Sequence, residues 1–571
     1  MVQLRRFVWA TVVLAIVVSQ SAAAQAGPAV TRDLGRMHGD APVRIGILMR
    51  YRHESELAAL TLLQGDRRSR YYHRYLSNAQ WNAYFAADAQ TYARTIALLR
   101  RRGFSIDRTY ANRSMIRAIG PAALVERYFR TELHAVAQDG YGTRYRNAIP
   151  FAVPDELRSV AAAVAGLDAT VHVTEPHTMS LAARATRRHV AAASPGAVST
   201  STPGPNPSPD PTLSPAFSPE EDYTTNTGYG PAIWATAYDF PVQHGYGGSG
   251  EALGSIINED FANSDVASEI KLYDIPRTGG QYRVYTDGSF ASTDTAGEST
   301  LDAEILETLA PAADYYEYLT QYFDSLGIEG AYAQVVSDNV VAAVNSSFGG
   351  CETNDPSFEY ATNYLAMQGA AKGITFGASA GDTGALACGA YVMNGISGSN
   401  LGVQVPCADV YFVCAGGTAF QPITSENTYT SEVAWISGGG GVSVLEPLPA
   451  WQAQTANVIA TGRNVPDLAF TADSDPPGVG FVFVFEGAII DDGGTSVASP
   501  MFVALQTEID QVQKSRNGFV NPRIYDVGNA AESFAFRDIS VGNNGTYFAR
   551  TGYDNTTGFG SPRGFELAGA E

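Results

Sequence analysis

A serine nucleophile is the first chemistry that the sequence suggests, in the segment 491–500. This segment reads Asp-Asp-Gly-Gly-Thr-Ser-Val-Ala-Ser-Pro and places Ser496 between two glycines and an apolar, helix-like run. Glycines permit backbone conformations and close approaches that side chains would block. A helix that begins here would bring backbone N–H groups and its positive end to the serine, ready to bind an oxyanion. The alternative is a glycine turn with a Ser or Thr helix cap.

A serine hydroxyl needs a base to accept its proton, and histidine is the usual one. The half of the chain after residue 221 contains a single histidine, His244. The nearest acid upstream of it, Asp239, is too close in sequence for the two side chains to come from separate strand ends. We therefore expect His244 to be a surface or core residue, and a histidine-dependent triad is the rival hypothesis.

Carboxylates offer another base when the medium is acid or their pKa is raised. Glu298 and Asp302 are four residues apart, which places them on one face of a helix about one turn apart. Ile305 and Leu309 continue that face toward a core. The alternative is an acidic first turn that the helix dipole favours.

Asp382 lies in a glycine-rich loop, 377–384, directly after a predicted strand. In parallel sheets, loops at the carboxyl ends of strands hold the ligand. A protonated Asp382 is able to donate a hydrogen bond to an oxyanion. The alternative is an aspartate that only shapes the turn.

The length of 571 residues and the apolar content of 45% predict two or three folded domains. We predict a signal peptide at 1–26, a small α+β domain at 40–185, a Ser/Pro-rich linker at 186–221 that is removed on maturation, and a final domain at 222–571. In the final domain, predicted strands alternate with predicted helices, which is typical of a parallel sheet covered by helices. The predicted strands are 331–336, 340–346, 373–376, 410–415 and 481–485, and the predicted helices are 301–309, 358–371 and 499–512.

Charge and cysteine content separate the two halves of the chain. Residues 1–221 carry 26 Arg against 17 acidic residues, a net +9, and the remainder carries 11 basic against 41 acidic residues, a net −30. Either a basic segment docks on an acidic one and loosens in acid, or the negative charge of the acidic half only keeps it soluble.

The four cysteines, all in the second half, allow one or two disulfides, and for two disulfides three pairings are open. No histidine lies near them, which argues against zinc.

Together these motifs resemble those of the sedolisin family, the serine-carboxyl peptidases. The family patterns Glu-x-x-x-Asp, Ser-Gly-Asp-x-Gly and Ser-Gly-Thr-Ser-x-x-x-Pro match 298–302, 380–384 and 493–500 in that order, and 73–167 is similar to the family's activation prodomain. The chain departs from the family where Ala380 and Gly493 replace serines and Phe348 replaces tryptophan. These departures leave the substrate preference open.

The resemblance implies an α/β fold, a subtilisin-like parallel-sheet catalytic domain preceded by a small α+β prodomain. It implies that Ser496 is the nucleophile, Glu298 the general base and Asp302 its orienting partner. Asp382 and the Ser496 N–H would form the oxyanion hole. Glu259 would extend the chain of carboxylates.

The resemblance also implies one Ca²⁺ ion near the end of the chain. Carboxylates and backbone carbonyls supply the oxygen ligands that this cation prefers. The implied ligands are the carboxylates of Asp538 and Asp554 and the carbonyls of Ile539, Arg550 and Gly552.

The implied function is that of a secreted, acid-active endopeptidase made as a zymogen. Its partners would be protein or peptide substrates and its own prodomain as inhibitor. We expect a monomer with no nucleic-acid partner and no membrane association in the mature form. A tripeptidyl exopeptidase and an inactive peptide-binding homologue are the alternatives that share these motifs.

Overall fold

The computed structural model describes residues 31–173, 228–288, 294, 297–388, 401–421, 429–474, 480–530 and 534–570. The predicted signal peptide and the predicted linker lie outside these residues. The domain boundaries therefore stay predictions, although the described segments form two separate sets of sheets.

The first set, residues 31–173, is an α+β domain with two antiparallel sheets. Its sheets have the strand orders β3-β4-β2-β7 and β1-β5-β6. Its helices are α1 (Glu54–Gly65), α2 (Asn78–Tyr84), α3 (Ala89–Arg102), α4 (Ala122–Phe129) and α5 (Asp155–Arg158). Its strands are β1 (Thr31–Arg36), β2 (Pro42–Met49), β3 (Ser105–Thr109), β4 (Met115–Pro121), β5 (Leu133–Gln138), β6 (Gly142–Asn147) and β7 (Ala161–Ala165).

Local sequence signals set the helices of this domain. The carboxylate of Asp88 accepts hydrogen bonds from the N–H groups of Gln90 and Thr91 and so begins α3. Gly103, with φ of 103°, ends it in the left-handed conformation that glycine tolerates. The apolar face of α3 buries Leu99 in the core of this domain.

The second set, from residue 228 onward, contains the larger sheet and most of the helices. Its helices are α6 (Pro231–Ala237), α7 (Asn263–Leu272), α8 (Glu298–Leu309), α9 (Ser325–Asp338), α10 (Pro356–Ala371), α11 (Thr495–Gln513), α12 (Asn521–Gly528) and α13 (Gly564–Ala570). Its longer strands are β8 (Ala252–Ile257), β9 (Gln281–Tyr285), β10 (Asp314–Leu319), β13 (Thr375–Ser379), β15 (Phe412–Phe420), β19 (Leu468–Thr471), β20 (Phe481–Phe485) and β21 (Ala488–Asp492). Its shorter strands are β11 (Ala343–Asn345), β12 (Gly350–Cys351), β14 (Gln404–Val405), β16 (Glu432–Ala434), β17 (Gly441–Val442), β18 (Asn464–Val465), β22 (Phe536–Arg537) and β23 (Ser561–Pro562).

An eight-stranded, mostly parallel sheet organises this domain. Its order is β16-β15-β13-β11-β8-β10-β9, with β19 also paired to β15, and only β16 runs antiparallel to its neighbour. Residues of β8 are buried throughout, as expected of a central parallel strand with both faces covered. The predicted α/β class, with a parallel-sheet domain after a small α+β domain, is confirmed.

One strand prediction was wrong, and a second was right about the strand but not about the sheet that contains it. Residues 331–336 lie inside helix α9, because Asp324 caps the helix by accepting from the Gly327 N–H and because tertiary packing overrides the strand preference of valine. Residues 481–485 do form β20, but this strand pairs antiparallel with β21 in a separate hairpin. Its buried phenylalanines pack in the core beside the large sheet.

Two helices cross the centre of the domain next to each other. Helix α11 packs against α8 and against strands β11, β13 and β15. Every residue of α8 is buried, including its acidic side chains. The helices that carry Ser496 and Glu298 are therefore adjacent in the core.

Two disulfides are present, Cys351–Cys388 and Cys407–Cys414. They select one of the three pairings that the sequence left open.

Among the described residues, no helix combines the length and the apolar composition that crossing a membrane requires.

We predict that the folded state loses stability as the pH rises, in part through Glu508. This side chain is fully buried in α11, and one of its oxygens accepts from the Val242 N–H at 3.1 Å. Burial raises the pKa of Glu508 well above its ordinary value. Since the folded state then binds the proton more tightly than the unfolded state does, this stability is complete in acid and is lost as the pH rises through the raised pKa.

The measurement is urea unfolding of Glu508→Gln at pH 4 and pH 8, in full chains that also carry Ser496→Ala. We expect similar stability at pH 4 and a gain at pH 8 of about 1.4 kcal/mol for each unit by which the pKa is raised, up to pH 8. The exposed Asp526→Asn is the control. Equal pH dependence in parent and Glu508→Gln would show the prediction to be wrong.

Candidate active site

Ser496 is the second residue of α11, immediately after the turn that leads out of the β20–β21 hairpin. The turn residue Gly494 has φ of 102° and ψ of 159°, a conformation that is essentially restricted to glycine. The Gly494 N–H donates to the Ala472 carbonyl at 2.6 Å, which fixes the entry to the helix. The Ser496 hydroxyl is buried and has no hydrogen-bond partner within the part of the chain that the structure describes.

Helix α8 begins at Glu298 because Asp294 and Gly297 shape its start. Gly297 adopts φ of 98°, and the Asp294 carboxylate accepts hydrogen bonds from the N–H groups of Gly297 and Thr300 and from the Thr300 hydroxyl at 2.6–2.8 Å. Glu298 and Asp302 lie about one turn apart in this helix, and both are buried.

Three neutral side chains hold the Asp302 carboxylate. The Ser255 hydroxyl donates to one oxygen at 2.5 Å and the Asn345 amide donates to the same oxygen at 2.9 Å. The Ser347 hydroxyl donates to the other oxygen at 2.7 Å. These partners come from β8, from the end of β11 and from the loop that follows it, so the sheet itself orients the carboxylate.

The surroundings favour the protonated form of Asp302. Burial, and after it the negative charge of Glu298, raises the pKa of Asp302 well above its ordinary value, against the lowering effect of the three donors. The site therefore keeps a proton available at a pH where exposed aspartates have lost theirs.

The carboxyl pair and the serine helix are linked through hydrogen bonds. The Ser347 hydroxyl, which binds Asp302, also lies 3.4 Å from the Ser496 carbonyl oxygen. One turn further along α11, the Ser499 hydroxyl donates to the Asn345 side-chain oxygen at 2.5 Å. Ser347 and Asn345 thus fix α8 against the first two turns of α11.

Asp382 lies on the other side of the serine. One of its oxygens accepts from both the N–H and the hydroxyl of Thr495, each at 2.8 Å. The Gly381 N–H in turn donates to the Thr495 hydroxyl at 2.9 Å. Because Thr495 precedes Ser496 in sequence, the structure brings all four predicted catalytic residues to one place.

His244 has different neighbours. Its side chain is exposed. The ring nitrogen Nε2 forms a hydrogen bond of 2.8 Å with the Asp239 carboxylate, and the ring stacks on Phe565 with centroids 3.9 Å apart. Among the described residues it has no contact with Ser496. The expectation of a surface histidine is confirmed, and the histidine-dependent hypothesis has no support.

Sequence reasoning missed the residues that orient the carboxylates. Ser347 was noted only as part of a family pattern, and Asn345 and Ser255 were not singled out. A second group was also missed: the Ser299 hydroxyl donates to Glu317 at 2.6 Å, and Arg283 joins Glu317 to Asp260. Polar residues inside an otherwise buried strand are the available signal, as in β8 and β11. The role of Glu259, in the bend after β8, stays a prediction.

The predicted calcium loop brings its two carboxylates together. The Asp538 carboxylate accepts from the Gly552 N–H at 3.1 Å, and the Asp554 carboxylate accepts from the Arg550 N–H at 2.9 Å. Burial, and after it the charge of Asp554, raises the pKa of Asp538. The other Asp554 oxygen accepts from the N–H groups and hydroxyls of Thr556 and Thr557. Carboxylates and backbone carbonyls are the ligand types that a hard cation prefers.

Comparison with known proteins agrees with this geometry. Residues 29–170 match the family model described as "Pro-kumamolisin, activation domain". The chain is 27% identical to sedolisin of Pseudomonas sp. (strain 101) over 90% of this chain and 85% of that protein. It is 28% identical to kumamolisin of Bacillus sp. (strain MN-32) over 94% of this chain and 92% of that protein.

A solved structure of Pseudomonas sedolisin, described as a serine-carboxyl proteinase complexed with two molecules of pseudo-iodotyrostatin, covers 61% of this chain and 98% of its own. It is 28% identical, with a TM-score of 0.55. The chain resembles the sedolisins over most of its length. It is a serine-carboxyl peptidase with an N-terminal activation domain.

We predict that this sedolisin-like site depends on Gly494. Alanine at this position would be strained by about 1–3 kcal/mol, because its conformation is essentially restricted to glycine. Relief of that strain would displace Ser496, and a misplacement of about 1 Å is able to cost about 100-fold in rate. The measurement is kcat of Gly494→Ala on a peptide substrate.

Gly487→Ala is the matched control, since Gly487 also has positive φ, at 69°, but lies in the hairpin turn with open space around it. We expect it to lower stability and leave kcat unchanged. Equal kcat in Gly494→Ala and the parent would contradict the prediction.

Proposed function

We propose that the chain is the zymogen of an exported, acid-active endopeptidase in which Ser496 is the nucleophile and Glu298 is the general base. The observation that supports this most is the linkage of a buried carboxyl pair to the serine helix through Ser347, with the lone histidine of this domain elsewhere. The four catalytic roles are carried by Ser496, Glu298, Asp302 and Asp382.

In this proposal, the Ser496 oxygen attacks the scissile carbonyl carbon while its proton moves to Glu298. Asp302, held by three donors, orients Glu298 and shares its negative charge. The oxyanion of the tetrahedral intermediate accepts hydrogen bonds from the Ser496 N–H and from a protonated Asp382. Glu298 then gives the proton to the leaving amine, and water hydrolyses the acyl-enzyme in the reverse sequence.

Asp382 is well placed for its role. Thr495 anchors one of its oxygens with two hydrogen bonds, and in the proposal the other oxygen carries the proton toward the substrate. A carboxyl group is a hydrogen-bond donor only when it is protonated. The proposal therefore requires an acid working pH, and the raised pKa of Asp302 supports the same conclusion.

We predict that the catalytic variants separate sharply from the histidine variant. Ser496→Ala, Glu298→Gln and Asp382→Ala should each lower kcat/KM at pH 4 by at least about 100-fold, since they remove the nucleophile, the base and an oxyanion donor respectively. His244→Ala should keep parental activity. The measurement is peptide hydrolysis from pH 3 to pH 8 by protein whose prodomain has been removed in the same way for every variant.

Loss of activity in His244→Ala, or a rate maximum above about pH 7 in the parent, would contradict the proposal. Mapping of the fragments made from a denatured protein substrate decides between endopeptidase and tripeptidyl exopeptidase. Release of tripeptides alone would show that the enzyme is a tripeptidyl exopeptidase, and the proposed catalytic mechanism would be unchanged.

Contacts between the two domains support the zymogen part of the proposal. Arg44 of β2 forms a largely buried ion pair with Asp324, which caps α9. Arg117 of β4 donates to the Thr286 carbonyl at 3.3 Å and lies 3.8 Å from the Asp287 carboxylate. In acid, the negative charge of the acidic domain as a whole falls, which weakens its attraction for the positive charges of Arg44 and Arg117. The basic prodomain would then leave the acidic domain.

We predict that Arg44→Met moves self-processing toward neutral pH. Removing a charge-assisted contact weakens prodomain docking by about 1.5–3 kcal/mol, while the catalytic domain keeps its sequence. The measurement is the pH at which half of the chain is processed within a fixed time, read from a gel.

Arg94→Met on the exposed surface of α3 is the control and should behave like the parent. An unchanged half-processing pH in Arg44→Met would rule out this contact as part of the acid trigger.

The proposal also includes one bound Ca²⁺ ion and export of the chain. The two carboxylates of the 538–554 loop, with the carbonyls of Ile539, Arg550 and Gly552, would hold one Ca²⁺ ion that braces this loop against the catalytic domain. Export is supported by the signal-like composition of residues 1–26 and by the two disulfides, which suit an oxidising compartment.

A further inference from the structure

Outside the catalytic site, three carboxylates converge on one point. Glu359 lies in the first turn of α10, Asp409 lies just before β15, and Glu446 follows β17. One oxygen from each lies within 4.8 Å of the others. Glu359 is 5% exposed, Asp409 is fully buried, and Glu446 is partly exposed and so opens the cluster to solvent.

The protein leaves this cluster short of donors. The Asp409 carboxylate accepts from the Thr362 hydroxyl through one oxygen, and Glu446 accepts from the Asn363 amide through one oxygen. The other Asp409 oxygen is buried and has no partner among the described residues. The Glu359 side chain makes no hydrogen bond within the same part of the chain, although one of its oxygens is fully buried.

A neighbouring buried carboxylate is better supplied with donors than the cluster is. Glu352 is buried nearby, but its oxygens accept from the Ser443 hydroxyl and from the N–H groups of Val444 and Leu445. A buried carboxylate without such donors costs considerable free energy unless it is neutralised. Glu359 and Asp409 therefore require a proton or a cation that the described protein does not supply.

The nearest cationic side chain is already engaged. Burial raises the pKa of Asp409 and of Glu446, and the charge of Arg463 opposes this rise only in part. The Arg463 guanidinium donates to both oxygens of Asp467 at 2.7 and 2.9 Å. Among the described residues, no Lys, Arg or His lies within 4.0 Å of the three carboxylates in an ion pair. The net charge of the ionised cluster is thus unbalanced.

We propose that Glu359, Asp409 and Glu446 form a second calcium site, separate from the 538–554 loop. An ion at the centre of three oxygens spaced by at most 4.8 Å lies within about 2.8 Å of each, close to the 2.3–2.6 Å of Ca²⁺–oxygen contacts. A shift of a few tenths of an ångström completes the contacts, and the partly exposed Glu446 leaves room for water ligands.

The ligand chemistry selects calcium over other cations. An all-oxygen set of carboxylates suits hard cations, whereas zinc and copper sites in proteins draw on His or Cys. Mg²⁺ requires near-ideal octahedral contacts at about 2.0–2.1 Å, and these would demand a much larger contraction of the cluster. The site ties α10 to the loops before β15 and after β17.

The test counts calcium ions per chain. Full-length Ser496→Ala/Asp538→Asn protein is dialysed at pH 7.5 against about 1 mM calcium, within the range of extracellular sites, and the bound metal is measured by atomic emission. Addition of Glu359→Gln should lower the count by one ion per chain. Addition of Glu446→Gln should have the same effect, which guards against a folding defect peculiar to one variant.

Glu329→Gln is the matched control, because Glu329 is also a buried carboxyl with an unpartnered oxygen but lies in α9, away from the cluster. It should leave the count unchanged. Equal calcium content in the parent, Glu359→Gln and Glu446→Gln would overturn the proposal and show that protons alone neutralise the cluster. This test uses an inactive chain, so its outcome is independent of the proposed peptidase mechanism.

Discussion

The constraint on which this structure depends is the burial of two carboxyl groups on one helix, next to the helix that carries the serine. Helix α8 places Glu298 and Asp302 in the core, where an unsolvated negative charge costs considerable free energy. The protein meets this cost with donors from the sheet, Ser255, Asn345 and Ser347. The same side chains reach α11, so the groups that stabilise the acids also fix the serine.

The same constraint makes the stability of the whole domain depend on pH. Burial raises the pKa of Glu317, of Glu329 and of Asp510 as well as that of Asp302. A domain built with this many buried acids is most stable while they hold their protons. In the function that we propose, catalysis and release of the basic prodomain also respond to acid, although through different residues.

The sequence predicted the reacting groups better than it predicted what holds them. The sequence was sufficient to predict Ser496, Glu298 and Asp382, because each lies in a short motif at a glycine turn or helix start. Asn345 and Ser255 were not, because their role arises only when strands β8 and β11 become neighbours in the sheet. Residues 331–336 were assigned to a strand because local valine preference conceals a helix that tertiary packing and the Asp324 cap impose.

The central claim is that carboxyl groups activate the serine without an imidazole. The most direct measurement is a crystal structure of the mature enzyme at about pH 4 with a peptide aldehyde bound in the cleft. Our account predicts a covalent bond from the Ser496 oxygen to the inhibitor and a Glu298 oxygen within about 2.6–3.2 Å of that serine oxygen. A Glu298 carboxylate beyond hydrogen-bonding reach, with another base in its place, would contradict it.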